Sequence, residues 1–208
     1  MLFRSPVWFY HCFDERKYIF SDEPREFFLF TLTQLTKVNI ERKKVYEIIK
    51  AFNKIKNKFP GLKLKIAGGK SDNGFPELEK YVNDNNLSGE VEFLGRVSDE
   101  EKIGLYRKCL IYVQPSDFEG FGMAVAEAML CGAPVITSPA GALPEVVGDK
   151  ALLVDGNNIN EIADAIDKLI TDKELYNKLH FEGAERIRNN FSYENRKSQI
   201  KKILEQYL

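Results

Sequence analysis

Long apolar runs are missing from this chain of 208 residues. None reaches the roughly 18 residues that a membrane-spanning helix requires, so no such helix is expected. The opening MLFRSPVWFYHCF is aromatic, but Arg4, Pro6 and His11 interrupt it. It lacks the clean apolar stretch of a secretory signal. Cysteine is scarce: Cys12, Cys109 and Cys131 are odd in number and form no CxxC pair. They read as small buried hydrophobes in a reducing, cytoplasmic setting, which excludes a disulfide framework. The only histidines, His11 and His180, lie far apart, so no metal-ligand cluster is expected. Charge of one sign is not in excess either. Lys and Arg total 30 against 31 Asp and Glu, which speaks against a nucleic-acid partner. Internal repeats and low-complexity segments are absent as well. What is present is 44% hydrophobic and 29% charged residues, enough to build the core of one domain.

The positive signal is alternation. Residues 27–35, 62–68, 91–95, 110–115, 134–138 and 151–155 read as strands. Between them, 41–59, 77–86, a segment opened by Ser98, 122–130, 143–147, 159–170, 173–189 and 193–207 read as helices. Ser98 with Glu101, and Thr171 with Glu174, form capping-box patterns, while Asn158 and Ser192 are further caps. This order implies right-handed crossovers and a parallel sheet with helices on both faces. The expected fold class is α/β, a single Rossmann-like domain. Its ligand would sit at the carboxyl ends of the strands.

One loop in that position stands out. After the apolar strand ending at Pro115 come Ser116, Asp117 and Glu119, then Gly120 and Gly122, then a helix. The amides of Gly122, Met123 and Ala124 would form a helix start, a natural phosphate site through unpaired N–H groups and the helix dipole. Glu127 lies two turns beyond Glu119, a spacing that returns to the same helix face. The two carboxylates could flank the amides and accept bonds from sugar hydroxyls. Two solvated surface charges are the plainer alternative, but Ala126, Ala128 and Met129 give Glu127 an apolar setting.

Glu119-Gly120-Phe121-Gly122, Glu127-Ala128-Met129 and Cys131-Gly132-Ala133-Pro134-Val135-Ile136 resemble a known pattern. It is that of family 4 of the retaining glycosyltransferases, which have the two-domain GT-B fold. Val91 to Gly95 with Ser98 to Glu101, Gly141 to Val147, and Phe191-Ser192-Tyr193 extend the resemblance over most of the chain. The resemblance implies the C-terminal half of a GT-B enzyme, binding a nucleoside-diphosphate sugar and transferring the sugar with retention. Polysaccharide or glycoconjugate synthesis is the implied setting, and no metal or other cofactor is. By the same resemblance Glu119 contacts the donor sugar at the reaction centre and Glu127 holds the ribose. The backbone from Phe121 through Gly122 and Met123 to Ala124 holds the diphosphate. Arg96 and Val97 fall beside the base, and Gly68 and Gly69 near the nucleotide. For those two glycines an ordinary βα turn is an equal alternative.

The sequence departs from the pattern after the first strand. Gln34 stands where the family places an arginine, and Lys43 best matches its lysine, with Lys37, Arg42 and Lys44 as rivals. Glutamine donates a hydrogen bond but neutralises no charge. Residues 1–25 resemble the interdomain connection, through Asp14-Glu15-Arg16. Residues 26–190 would be the nucleotide-sugar-binding domain and 191–208 a terminal helix that packs on the missing N-terminal domain. That reading makes the chain a fragment, a truncated frame or one subunit of a split enzyme. It leaves Ile200, Ile203, Leu204 and Tyr207 open to a partner subunit or to self-association. The basic residues Arg42, Lys43, Lys44, Lys50, Lys54, Lys56 and Lys58 give the helix over 41–59 a solvated polar face. A membrane surface is the weaker alternative.

Overall fold

Residues 28 to 30 show how the sheet is built, because successive side chains of a strand point to opposite faces. In the computed structural model, which describes residues 11–14, 16–70 and 74–205, Leu29 of β1 (Glu26–Leu32) packs with one core. Phe28 and Phe30 pack with another. The same sorting places Ile66 on one side of β2 (Lys63–Ala67) and Ala67 on the other. In β4 (Cys109–Gln114) it separates Val113 from Tyr112. Both faces of the sheet are therefore covered around β1 and β4, which are close to continuously apolar. A fully buried side chain such as Phe30 or Ile66 contributes about 1.5–3 kcal/mol by leaving water.

With β3 (Val91–Gly95), β5 (Val135–Thr137) and β6 (Leu152–Leu153), the strands form a six-stranded sheet in the order β3-β2-β1-β4-β5-β6. All the pairings are parallel. One layer of helices is α1 (Lys37–Arg42), α2 (Val45–Ile55), α3 (Gly74–Asp84) and α7 (Ile159–Thr171). The other is α4 (Asp99–Lys108), α5 (Met123–Leu130), α6 (Leu143–Val147) and α8 (Lys173–Phe191). The chain runs outward in opposite directions from β1 and β4. The loops that follow these two strands therefore part from each other and leave a crevice at their carboxyl ends.

Three local expectations need correction. The helix expected over 41–59 is two helices. Lys44 adopts a left-handed backbone, φ 57° and ψ 39°, and separates α1 from α2. That conformation costs a non-glycine residue about 1–2 kcal/mol. Long-range bonds hold it: the Arg42 carbonyl accepts the Asp117 N–H at 2.8 Å, and Lys44 Nζ pairs with Asp117 at 2.6 Å. The strand expected to reach residue 35 ends at Leu32, and Thr33 N–H then bonds the Ala67 carbonyl. The cap of α8 is Asp172, whose carboxylate accepts the Leu175 N–H at 2.9 Å, and not Thr171, whose hydroxyl turns back to the Asp167 carbonyl. Asn158, Ser192 and the Ser98–Glu101 capping box stand as read from the sequence.

Residues 11–14 and 16–25 run as a strap beside α4, α5 and α8. Phe13 forms a parallel bridge with Ser192, Lys17 pairs with Asp99 at 2.7 Å, and Arg25 donates to the carbonyls of Tyr106 and Cys131. On α9 (Tyr193–Glu205) no residue is buried; Ile200 and Leu204 are exposed and Ile203 is partly covered. Tyr207 and residues 1–10 lie outside the described residues. The lysines of the basic helix mostly meet partners: Lys50 pairs with Glu47, Lys54 with Asn160, Lys56 with Glu90 and Lys58 with Asp167. Among the described residues no helix is long and apolar enough to cross a membrane. The cap correction is testable by urea unfolding. Asp172→Ala is expected to cost about 1 kcal/mol, and Thr171→Ala clearly less. The reverse ranking would restore Thr171 as the cap.

Candidate functional site

The crevice is a cleft of about 1050 Å³. Most of its wall comes from the carboxyl ends of strands. Thr33 and Gln34 follow β1; Gly68, Gly69 and Lys70 follow β2; Arg96 and Val97 follow β3; and residues 119–124 follow β4. Lys43 reaches in from the α1–α2 junction, Lys102 from α4 and His11 from the strap.

Two glycines are required by geometry. Gly122 caps α5 with φ +89°, and a Cβ there would lie 2.6 Å from Leu143 Cδ2. The turn brings the Met123 and Ala124 amides to the cleft ahead of the first bond of the helix, from Ala126 N–H to the Gly122 carbonyl. Unpaired amides and the positive end of the helix dipole both favour an anion there. Gly68 has φ +151°, and a Cβ would fall 1.5 Å from the Thr33 carbonyl oxygen. The ends of β1 and β2 cross too closely for a side chain, so this glycine does more than make a turn.

Glu119 is held from several directions. Its Oε1 accepts from Gln114 Nε2 at 3.0 Å and from Ser116 Oγ at 2.9 Å. Arg42 and Lys43 approach the same oxygen at 3.4 and 3.3 Å. Gln114 is itself fixed by the buried Tyr112 hydroxyl, which donates to Gln114 Oε1 at 2.6 Å. Arg42 also donates to the Phe118 carbonyl at 2.7 Å and to Asn39 at 3.0 Å. The three consecutive cations thus divide their work. Arg42 and Lys44 clamp the loop, while Lys43 alone of the three lines the cleft. Lys37 is exposed on α1 and is not among the lining residues. Burial draws the Lys43 ammonium below its usual range, and the Glu119 carboxylate opposes that pull.

Of the residues singled out in the sequence, Gln34, Lys43, Gly68, Gly69, Arg96, Val97, Glu119, Phe121, Gly122, Met123 and Ala124 meet in this cleft. Glu127 does not line it. Its carboxylate is buried and takes a hydrogen bond from Tyr18 at 2.7 Å, another from Tyr106 at 3.2 Å, and an ion pair from Lys102 at 3.1 Å. Lys102 stands between the cleft and Glu127. Sequence reading missed Lys102, Tyr18, Thr33, Lys70 and His11. The four-residue spacing of Lys102 and Tyr106, which places both on one face of α4, was a usable signal for Lys102. Nothing local marks Tyr18, because its partner is distant in the chain.

The lining cations are Lys43, Lys70, Arg96 and Lys102, against one carboxylate, Glu119. Together with the α5 amides, this balance suits a polyanionic ligand. The lowered Lys43 ammonium makes a signed prediction. The folded state gives up that proton before the unfolded state, whose value is near 10.5. Stability conferred by Lys43 should therefore rise as pH climbs toward 10.5. Urea unfolding of the wild type and Lys43→Met across that range should show the wild type gaining on the variant. The opposite slope would mean that attraction to Glu119 outweighs burial.

Residues 23–186 match the family model described as glycosyl transferases group 1. The chain is 39% identical over 134 residues to the uncharacterized glycosyltransferase MJ1178 of Methanocaldococcus jannaschii, covering 64% of this chain and 38% of that protein. It spans well under half the length of such curated relatives. In structure it is similar to the C-terminal domain of a glycosyl transferase group 1 family protein from Francisella tularensis. That likeness has a TM-score of 0.76 at 26% identity and covers 87% of this chain and 99% of that one. It also shares its fold with Anabaena HepE, solved in complex with UDP and glucose. There the TM-score is 0.81 at 23% identity, over 94% of this chain and 55% of that one.

Proposed function

The chain belongs to the group 1 glycosyl transferases, and from that premise we propose that its cleft binds a nucleoside-diphosphate sugar for transfer to an acceptor hydroxyl with retention. The carrying observation is the convergence of the Met123 and Ala124 amides, Lys43 and the clamped Glu119 in one cleft. The diphosphate would lie on the amides and beside Lys43, with Glu119 against the sugar. In the transfer, the acceptor oxygen bonds to the anomeric carbon on the face from which the diphosphate departs. The anomeric carbon–oxygen bond breaks, and the acceptor proton passes to a phosphate oxygen. Negative charge then grows on the leaving group, where fixed amides and an ammonium act most strongly in a water-poor cleft. This reading needs no metal, because cations of the chain itself supply the neutralising charge. A cytoplasmic setting and a role in polysaccharide or glycoconjugate synthesis belong to the same proposal. That Anabaena HepE is solved with UDP and glucose agrees with this ligand class.

A second reading is a nucleotide-sugar-binding subunit that turns over only with a partner chain. It is favoured by Gln34, which brings no charge to the cleft wall. In both readings the exposed apolar positions of α9 meet the acceptor-binding partner. Thermal unfolding with UDP, GDP and ADP tests the ligand class. At a hundred times Kd the matching nucleotide should add about 2.7 kcal/mol, or about 5–10 °C in Tm. Glu119→Gln should keep most of that shift for the bare nucleotide but lose the added shift from the sugar-bearing form. No shift with any of the three at millimolar concentration would sink the proposal. Transfer measured with and without a candidate partner separates the two readings.

A further inference from the structure

The cations of the cleft differ in what they face. Lys43 stands 3.3 Å from Glu119, and Lys102 stands 3.1 Å from Glu127 and 3.4 Å from Asp99. Those two charges are offset within the protein. Lys70 and Arg96 also line the cleft, and among the described residues neither meets a carboxylate. Arg96 stands between this cleft and a neighbouring groove of about 440 Å³, which it shares with Lys65 and Lys108. Lys70 does not border that groove. Backbone bonds fix where Lys70 starts from. Beyond the ends of β1 and β2 the two segments stay side by side: Thr33 N–H donates to the Ala67 carbonyl, and Leu35 N–H donates to the Gly69 carbonyl at 2.8 Å. Lys70 therefore leaves the β2 loop beside Gln34, the uncharged residue of the β1 loop. Its ammonium rests 3.7 Å from the centre of the Phe75 ring. That contact holds the charge against a neutral face and leaves it open to a stronger, anionic partner.

We propose that Lys70 is a donor-binding residue: its ammonium contacts the diphosphate from the β2 side of the cleft and supplies the charge that Gln34 leaves out. This inference rests on the nucleotide-sugar reading of the cleft. The α5 amides and Lys43 hold the diphosphate from the loop after β4 and the α1–α2 junction, and Lys70 closes on it from the loop after β2. An ammonium on a flexible stem turns from a ring to a phosphate by side-chain rotation alone. The phosphate is the stronger partner, because both groups are then charged. As the leaving diphosphate gains charge during transfer, Lys70 stabilises it as well.

Calorimetric titration of the full chain with the best binder among UDP, GDP and ADP tests this. Lys70→Met keeps the apolar stem and removes the charge. It is expected to weaken nucleotide binding about tenfold, the scale of one hydrogen bond to a charged group. Inorganic pyrophosphate, titrated in competition with the nucleotide, should lose affinity by a similar factor, since the contact is to phosphate. Adding Gln34→Arg to Lys70→Met should restore most of the loss by placing a cation on the adjoining loop. Lys80→Met makes the same change of net charge on α3, outside the cleft, and should bind like wild type. A Lys70→Met variant that binds as tightly as wild type would overturn the inference while leaving the cleft reading intact. So would a loss matched by Lys80→Met, one confined to the nucleotide with pyrophosphate unchanged, or one that Gln34→Arg leaves unrecovered. Absence of nucleotide binding in wild type would overturn the inference together with the reading it rests on.

Discussion

The cleft depends on the clamp between the α1–α2 junction and the loop after β4. Left alone, a loop carrying Asp117 and Glu119 next to a helix start would relax into solvent. Three successive cations prevent that. Arg42 and Lys44 fix the loop by its backbone and by Asp117, and Lys43 brings charge to the Glu119 carboxylate. The left-handed Lys44 is the strained residue that lets all three reach. Strain of this kind persists only where surrounding bonds over-determine it, and here they do.

A second line of support runs through the core. Tyr112 on β4 fixes Gln114, and Gln114 fixes Glu119. Tyr106 on α4 reaches Glu127 from beneath. Both carboxylates are thus anchored to aromatic side chains buried between the sheet and its helices. Buried polar groups are costly unless satisfied, so these tyrosines hold the carboxylates in fixed positions as well as filling space.

Much of this was legible in the sequence. The alternation of apolar strands and amphipathic helices gave the layers, and the glycines around Phe121 gave the helix start. The capping pattern at Ser98 is local and read correctly. The break at Lys44 was not legible, because 41–59 has an unbroken helical periodicity and only a distant loop overrides it. Asp172 was hidden behind a neighbouring threonine that satisfies the same pattern. The closure of Glu127 was hidden more deeply, since Tyr18, Tyr106 and Lys102 come from separate segments and no spacing rule joins Tyr18 to them.

The bridge between Phe13 and Ser192 closes a loop that contains almost the whole domain. Contacts so distant along the chain form after the local ones, because closure entropy must be met before they contribute. The strap is therefore expected to dock late in folding and to be among the first parts to open. The cleft would then exist in two forms during ordinary fluctuations, walled and unwalled, with the hydrophobic underside of Phe121 shielded in one and wet in the other.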